Sequence, residues 1–306
     1  KGDYSEVADC ADDNGDKLCD LCGQKLIDPK FTVDGVEVET LDEALAAARD
    51  GSVIKLLDNL VLTERLTLDK ELTIRMNGYS ITGAFEDAYG MIYVKKGATL
   101  MVLNGLIENT ADVAIGNYGM VVVAADATVN GLGAGLYNFY YQADYYGEAV
   151  VNGKVNSIWN SGKLTVNAGA VVEELDNSGY AEINGTVNEL YAQDGADAPA
   201  VPNAGVLKIA DTSKVTLEEG FVLWQIAENT YKVHAHNHAT VTYTNPTTQA
   251  DGFWTHTCEC GDSYTVTDPN TRIHVTVPEV KAEDIQDKRR SAYVHDTLEK
   301  LLGWGA

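Results

Sequence analysis

Cysteine, proline and basic residues are the scarce components of this sequence. Its 306 residues include five cysteines and six prolines, and 22 Lys plus Arg stand against 46 Asp plus Glu, which gives a net charge of −24. Such a charge repels the phosphate backbone, so nucleic acid is a poor candidate partner and divalent cations are a good one. No apolar run approaches the roughly 20 residues of a membrane helix, and we expect no direct membrane insertion.

The cysteines occupy both ends of the chain and are absent from its long middle. Cys10, Cys19 and Cys22 lie near the start, and Cys258 and Cys260 lie near the other end. An odd number cannot form a complete set of intrachain disulfides, so a metal site or one free thiol must remain. The chain begins at Lys1 without a signal-peptide pattern, and we expect that any such segment has been removed.

Residues 40–50, TLDEALAAARD, predict one short amphipathic helix that ends at Gly51. Thr40 can cap the start of the helix, and Glu43 can reach back to the backbone amide of Thr40 as a capping box. An apolar stripe follows at helical spacing, formed by Leu41, Ala44, Leu45 and Ala48.

After Gly51 the sequence changes to short alternating runs bounded by Gly, Asn or Asp, which predict strands and turns. Asn-Gly pairs recur, and the triplet NSG occurs twice at a shorter separation. Such repeats predict a stacked architecture, with a hairpin sandwich as the alternative. The irregular spacing favours stacking, because a sandwich needs a fixed register. The turns are expected at Asn77, Asn104, Asn130, Asn152 and Asn184, and at the NSG residues Asn160 and Asn177.

A resemblance rests on the helix TLDEALAAARDG and the strand pattern VIKLLDNLVLTERLTLDKELTIRMNGYSITG that follows it. Together they resemble the opening of right-handed parallel β-helix, pectate-lyase-like domains in surface proteins of gut bacteria. The resemblance covers about residues 36–232. It implies a secreted, cell-surface protein in which the helix caps one end of the solenoid and protects its edge strands.

We therefore expect an all-β fold, with a right-handed parallel β-helix solenoid, an N-terminal capping helix and a small C-terminal β-hairpin module. The expected divisions are an acidic, Cys-containing calcium-binding segment (1–30), the capping helix and solenoid (31–233), a Cys/His-containing β module (234–278) and a helical tail (279–306).

The acidic motif DDNGDKLCDLCG, residues 12–23, predicts a calcium site. Ca²⁺ takes 6–8 oxygen ligands, and Gly15 permits a tight turn between the ligands. The motif departs from a helix-loop-helix site, because Gly23 stands where that site has its closing acidic residue. The alternative is a solvated acidic turn. The candidate ligands are Asp12, Asn14, Asp16, the Leu18 carbonyl and Asp20.

The cysteine and histidine clusters predict either zinc or disulfides, and the sequence leaves the choice open. CDLCG has zinc-ribbon spacing, and CECG at residues 258–261 is a shortened version of it. The second cluster also resembles a repeat module of bacterial surface proteins with Cys-x-x-Cys-Gly, although Thr248 stands where another Cys is expected. Its histidines are expected to alternate on one face of a strand, or to be merely exposed. The candidates are Cys10, Cys19, Cys22, His234, His236, His238, His256, Cys258 and Cys260.

An aromatic segment, LYNFYYQADYYG at residues 136–147, predicts carbohydrate contact. Each tyrosine has an apolar ring that can stack on a sugar and a hydroxyl that can hydrogen-bond to it. The alternative is an aromatic ladder packed between coils or under a protruding turn. The candidate ligand-binding residues are Tyr137, Tyr140, Tyr141, Tyr145 and Tyr146.

The sequence lacks the residues on which the enzymes of the resembled family depend. The galacturonan hydrolases of that family carry a Gly-His-Gly motif, which is absent here, and an Arg-Ile-Lys motif, whose nearest match is Arg272-Ile273-His274. The lyases of that family need a basic residue, and residues 77–203 contain only Lys95, Lys96, Lys154 and Lys163. We therefore expect no catalytic residues and a module that binds a glycan or another surface protein. The alternatives are a self-associating structural subunit of a filament or layer, and a diverged polysaccharide lyase or hydrolase.

The acidic motif generates a test by calorimetry. Calcium should raise the unfolding temperature of the N-terminal segment by mass action on the native state, and Asp16→Ala should abolish that rise. The absence of any shift when a chelator is added to the unsubstituted chain would end the calcium hypothesis.

Overall fold

The chain divides into two units, residues 1–236 and residues 237–306. The computed structural model describes residues 13, 19, 28–87, 89–142 and 145–276 of it. Its described part is nearly all β with one helix, and it contains no helix long and apolar enough to cross a membrane. The proposed calcium ligands, Cys10, Cys22 and the predicted C-terminal helix lie outside the described residues.

The first unit begins with two antiparallel strands and the predicted helix. These elements are β1 (Phe31–Val33), β2 (Val36–Val38) and α1 (Leu41–Ala47). The capping box is confirmed, since Thr40 Oγ1 accepts a hydrogen bond from the Glu43 amide and the Glu43 carboxylate accepts one from the Thr40 amide. The predicted apolar stripe of the helix faces the core, where Ala44 and Ala48 are buried. The helix stops short of Gly51, and Lys70 Nζ donates to the Leu45 and Ala48 carbonyls at its end.

Seven repeats follow, and each crosses between two sheets. The first strand of every repeat joins one parallel ladder, and the rest of the repeat joins a second sheet, as two short strands in the first four repeats and as one longer strand in the last three. The strands are β3 (Ser52–Leu56), β4 (Leu60–Val61), β5 (Leu66–Leu68), β6 (Glu71–Arg75), β7 (Ser80–Gly83), β8 (Ile92–Val94), β9 (Thr99–Leu103), β10 (Gly105–Asn109), β11 (Ile115–Asn117), β12 (Met120–Val123), β13 (Ala127–Gly131), β14 (Leu136–Asn138), the inserted β15 (Tyr140–Gln142) and β16 (Tyr145–Tyr146), β17 (Glu148–Val151), β18 (Lys154–Asn160), β19 (Lys163–Val166), β20 (Val171–Asn177), β21 (Tyr180–Ile183) and β22 (Thr186–Ala192).

After the repeats the chain adds β23 (Val206–Ile209) and β24 (Val215–Leu217), one to each sheet, and then the hairpin β25 (Phe221–Ala227) and β26 (Thr230–Ala235). The hairpin pairs antiparallel with β23. At the other end of the same sheet, β1 pairs antiparallel with β3 and β2 with β1. Antiparallel strands therefore close both ends of the first ladder.

The core lies between the sheets, where inward side chains stack in columns. Burial of each Leu- or Val-sized side chain contributes about 1.5–3 kcal/mol, so every column adds a large share of the folding free energy. The repeats differ in length, since Ala149 and its partner Leu164 are closer in sequence than Leu72 and its partner Leu100. One such column contains Ser52, Leu72, Leu100, Val121, Ala149, Leu164, Ala181 and Leu207.

Most of the predicted Asn-Gly turns are confirmed, and one is wrong. Asn77 and Asn104 have left-handed φ angles of 61° and 51° at equivalent corners, and Asn152 and Asn184 also follow strands. Asn130 instead lies within β13. Its neighbour Gly131 serves close packing, because a Cβ atom there would overlap the Ala134 carbonyl oxygen.

The NSG pairs mark a corner at which four asparagines stack inside the protein. Asn160 and Asn177 are in register in successive repeats, as the recurrence of NSG predicted. Two earlier repeats contribute Asn117 and Asn138 to the same column. Nδ2 of Asn117, Asn138 and Asn160 donates to the Oδ1 of the next asparagine, at 2.8, 2.7 and 2.6 Å, and Nδ2 of Asn177 donates to the Gly179 carbonyl. All four side chains are at most 1% exposed, so we call them the asparagine ladder.

The ladder satisfies backbone groups as well as its own amides. Nδ2 of Asn117, Asn138 and Asn160 also donates to a backbone carbonyl one repeat further along the first ladder, that of Glu148, Lys163 and Tyr180 respectively, at 2.9–3.0 Å. A glycine then turns the chain, as at Gly162, where a Cβ atom would overlap the Gly147 carbonyl oxygen. An Asn-x-Gly sequence therefore forms three of these corners, and at the fourth the β15–β16 hairpin is inserted between Phe139 and Gly147.

The second unit contains three antiparallel strands, β27 (Thr240–Thr244), β28 (Gly252–Thr257) and β29 (Ser263–Asp268). Threonines align across one face, as Thr242, Thr255 and Thr265 do. The opposite face carries aromatic and aliphatic side chains, including Trp254, which is 43% exposed.

Loss of one member should show how strongly the asparagine ladder stabilises the first unit. Asn160→Ala removes four hydrogen bonds and leaves buried amides of its neighbours without partners, so the free energy of unfolding should fall by about 3 kcal/mol. Urea denaturation measures this change. The matched control is Asn130→Ala on half-buried β13, for which the loss should be under about 1 kcal/mol. Equal losses would contradict the structural role of the ladder.

Candidate functional site

The outward residues beside the asparagine ladder form a column of large side chains. The residue before each ladder asparagine points away from the core, because side chains alternate along a strand. Tyr137 aligns with Trp159, and Trp159 aligns with Asp176 in the next repeat. Towards the other end the column continues through Gly116 to Tyr93. At Gly116 a Cβ atom would overlap the Tyr89 carbonyl oxygen and crowd the Phe139 ring.

The residues that follow the ladder asparagines form a second column, which changes character halfway. Tyr118 and Phe139 stack with ring centroids 4.6 Å apart and planes at 7°. In the next two repeats the equivalent residues are Ser161 and Ser178, whose hydroxyls are 3.1 Å apart. The surface is therefore raised by rings over the earlier repeats and lowered over the later ones.

Both columns merge into one continuous aromatic cluster. Phe139 connects them, with its centroid 3.7 Å from Tyr137, and Tyr137 meets Trp159 edge-on at 5.4 Å. Tyr118 is buried on the inner side of the cluster, 7% exposed, and this burial raises its pKa to about 12. Tyr89 and Tyr141 lie at the outer side, 51% and 65% exposed. The members of the aromatic cluster are Tyr89, Tyr93, Tyr118, Tyr137, Phe139, Tyr141, Tyr145 and Trp159.

Cationic side chains hold the β15–β16 hairpin against this surface. Lys96 Nζ lies 5.0 Å from the centre of the Tyr145 ring, and Lys163 Nζ lies 4.9 Å from that of Tyr146. A hydrogen bond with Tyr146 raises the pKa of Lys163, despite partial burial, and Glu148 adds an attraction at 3.7 Å. Cation–π contacts of this kind contribute about 0.5–1 kcal/mol at exposed sites.

The structure places three of the five predicted tyrosines, Tyr137, Tyr141 and Tyr145, in the aromatic cluster, while Tyr140 and Tyr146 belong to the adjoining β15–β16 hairpin. Tyr141 is exposed, whereas Tyr137, Tyr140, Tyr145 and Tyr146 are half-buried. Part of the segment therefore forms the packed ladder that was the alternative to carbohydrate contact. Sequence reasoning missed the cluster members from other repeats. The Asn117-Tyr118-Gly119 triplet was their available signal, since it matches the NSG corners.

A cleft of about 200 Å³ lies at the end of the aromatic cluster. The chain carries an insertion at the same corner in two repeats, as the β15–β16 hairpin before Gly147 and, three repeats later, as the loop 194–204 before Gly205, which contributes Asp197 to the cleft. Gly205 N returns the loop to the Ser178 and Gly179 carbonyls at 3.2 and 3.0 Å. The two repeats between the insertions turn directly. The cleft is lined by Tyr137, Trp159, Asn160, Ser161, Asp176, Ser178, Gln193 and Asp197.

Two carboxylates give the cleft its electrostatic character. Burial raises the pKa of Asp176, and the negative charges of Glu218 and Asp197 raise it further, while a hydrogen bond from Gln193 Nε2 at 3.0 Å acts in the opposite direction. Burial and then Asp197 and Asp176 also raise the pKa of Tyr137. Sequence reasoning missed this pair, because Asp176 and Asp197 are far apart in the chain and only adjacent carboxylates attract notice.

The predicted histidine strand is wrong. Strand β26 ends at Ala235, and His238 has a left-handed φ of 43°, so His234, His236 and His238 do not alternate on one strand. His234 and His236 belong to the first unit, and His238 belongs to the second. There, His238 Nε2 lies 3.0 Å from Asp262 Oδ2, and the His256 ring stacks on Tyr264 at 4.8 Å.

The cysteines of the second unit lie in a turn. Gly261 N donates to the Cys258 carbonyl and Cys258 N donates to the Asp262 carbonyl, so the CECG segment forms a tight turn. Cys258 is buried and Cys260 half-buried. Cys19, the described cysteine of the other cluster, is also buried. Zinc and disulfide bonding remain predictions.

Comparison with known proteins gives no family assignment. No protein-family model matches the chain. No characterised protein and no solved structure matches it either. The geometry of the aromatic cluster and the cleft is therefore the evidence from which a function is inferred.

Proposed function

We propose that the chain is a non-catalytic module of a secreted bacterial surface protein and that it binds a glycan at the aromatic cluster and the adjoining cleft. The observation that carries the proposal is a surface on which rings and hydrogen-bonding groups are contiguous. Trp159 and Tyr137 belong to the cluster and also line the cleft. Sugars present apolar ring faces and hydroxyl edges, and such a surface offers a partner for each.

The proposed fold within the first unit is a right-handed parallel β-helix. The support is that successive repeats pair parallel and in register through both sheets, with inward columns that keep their apolar character. The conspicuous exception, the asparagine ladder, is satisfied by hydrogen bonds between repeats. A stack of this kind tolerates insertions at its corners, and one of them, the loop 194–204, contributes Asp197 to the cleft.

The ends of the first ladder favour a binding module over a self-assembling subunit. A ladder that ends in a bare parallel strand can be continued in the same register by another copy, whereas in this ladder antiparallel strands end the parallel register on both sides, β1 with β2 and β25 with β26. The net charge of −24 also opposes close packing of copies at low ionic strength. Calcium at the acidic motif and zinc at the cysteines remain separate proposals.

The function is tested by depletion of the full chain, in calcium, onto plant, mucin and bacterial polysaccharides, with newly released sugar ends measured in parallel. Binding without products is the expected result. Products would identify a lyase or hydrolase instead. If the chain neither binds a polysaccharide nor releases sugar ends, and if its light scattering depends on concentration, a structural subunit is favoured.

Aromatic substitutions locate the binding surface. Trp159→Ala and Tyr141→Ala should each weaken binding at least tenfold, since stacking residues in binding hot spots contribute about 2 kcal/mol or more. The control is Trp254→Ala, which removes an exposed ring from the second unit and should leave affinity unchanged. Circular dichroism verifies that each variant is folded. Equal affinity of all three folded variants would exclude the aromatic cluster as the site.

A further inference from the structure

The cleft beside the aromatic cluster has charges of one sign only. Its lining contains the carboxylates of Asp176 and Asp197 and no basic side chain. Glu218 lies close enough to Asp176 to act on it electrostatically. The cations of the neighbouring surface are engaged elsewhere, since Lys163 contacts Tyr146 and Glu148. A ligand that enters the cleft therefore meets a negative potential.

The surroundings of Asp176 destabilise its ionised carboxylate when the cleft is empty. The side chain projects from the column between Trp159 and Tyr191, and it is partly buried. Its described hydrogen bond comes from a neutral amide, that of Gln193. A desolvated carboxylate that faces two others is stabilised when a cation approaches, because the attraction is strong where water is excluded.

The rest of the cleft specifies the shape of the ligand. Trp159 and Tyr137 present ring surfaces, and the serine column of Ser161 and Ser178 presents hydroxyls where the previous repeats have bulky rings. The volume of about 200 Å³ suits one sugar ring rather than an extended chain.

We propose that this cleft is a subsite for an amino sugar whose protonated amine lies between Asp176 and Asp197 while its ring packs against Trp159. The inference rests on the proposed glycan-binding function and adds the class of glycan. Uronates and sulfated sugars would be repelled by the same two carboxylates. N-acetylation would remove the charge that the cleft selects.

The pH dependence of binding follows from the two ionisations. The amine must be protonated, and this state is lost as the pH rises. Asp176 must be ionised, and this state is lost as the pH falls. Because burial and the nearby Glu218 and Asp197 raise the pKa of Asp176, the loss begins at a higher pH than for an ordinary aspartate. Affinity should therefore pass through a maximum between the two pKa values.

The experiment measures binding of glucosamine oligomers and of N-acetylglucosamine oligomers of the same length to the full chain by calorimetry at about pH 6. The glucosamine oligomer should bind at least tenfold more tightly, and added salt should reduce that preference. Galacturonan oligomers should not bind. Lysine amide, which carries an amine without a sugar ring, should not compete.

Variants assign the effect to the cleft. Asp176→Asn and Asp197→Asn should each lower affinity for the glucosamine oligomer about tenfold and remove the preference over the acetylated oligomer. The control Glu37→Gln removes the same charge from exposed β2 and should change neither. Both cleft variants keep the size of the side chain, so the fold should be retained.

The failures of the two proposals are distinguishable. Equal affinity for both oligomers, or affinity that survives both aspartate substitutions, would overturn the amino-sugar subsite while glycan binding at the aromatic cluster stands. Competition by lysine amide would show that the cleft recognises an amine without a sugar ring. It would overturn the amino-sugar proposal and indicate a basic peptide as the ligand. The absence of binding to any glycan would overturn both proposals.

Discussion

The asparagine ladder is the constraint on which the rest of the first unit depends. Four amides with almost no solvent exposure stack at one corner, and each is hydrogen-bonded to the amides above and below it or to adjacent backbone. Buried amides are tolerated only when their hydrogen bonds are made, so the ladder admits one register between successive repeats. That register stacks the inward side chains of successive repeats in columns that are mostly apolar. It also fixes which residues emerge on the outer surface beside the corner.

The candidate site is a consequence of this corner. The residues on either side of each ladder asparagine become the two outer columns, and their change from rings to serines produces a step in the surface. Insertions are tolerated where the chain turns, because a loop there does not interrupt the pairing between strands. The β15–β16 hairpin and the loop 194–204 both leave from this position, and the two shorter repeats between them form the floor of a cleft. Binding geometry thus arises from differences between repeats that share one backbone path.

Much of the local structure could be predicted from residue patterns. The capping box of Thr40 and Glu43 and the turns at Asn77 and Asn104 depend on neighbours in sequence, and the structure contains all of them. The recurrence of the NSG triplet is a true repeat, since its asparagines pair in register. Predictions failed where the tertiary structure departed from the local sequence pattern. Gly131 is required by the close approach of Ala134, and the histidines beyond Ala235 leave their strand.

The sequence by itself determined that the chain is β-rich, acidic and repetitive, and that its tyrosines are concentrated in one segment. Only the tertiary structure decided that Asn160 is a buried structural residue rather than a turn residue, and that Tyr89, Trp159, Asp176 and Asp197 belong to the same surface as that segment. The physical reason is that the repeats differ in length, so residues that stack in space have no constant separation in sequence. Their alignment is set by buried hydrogen bonds and apolar packing between repeats.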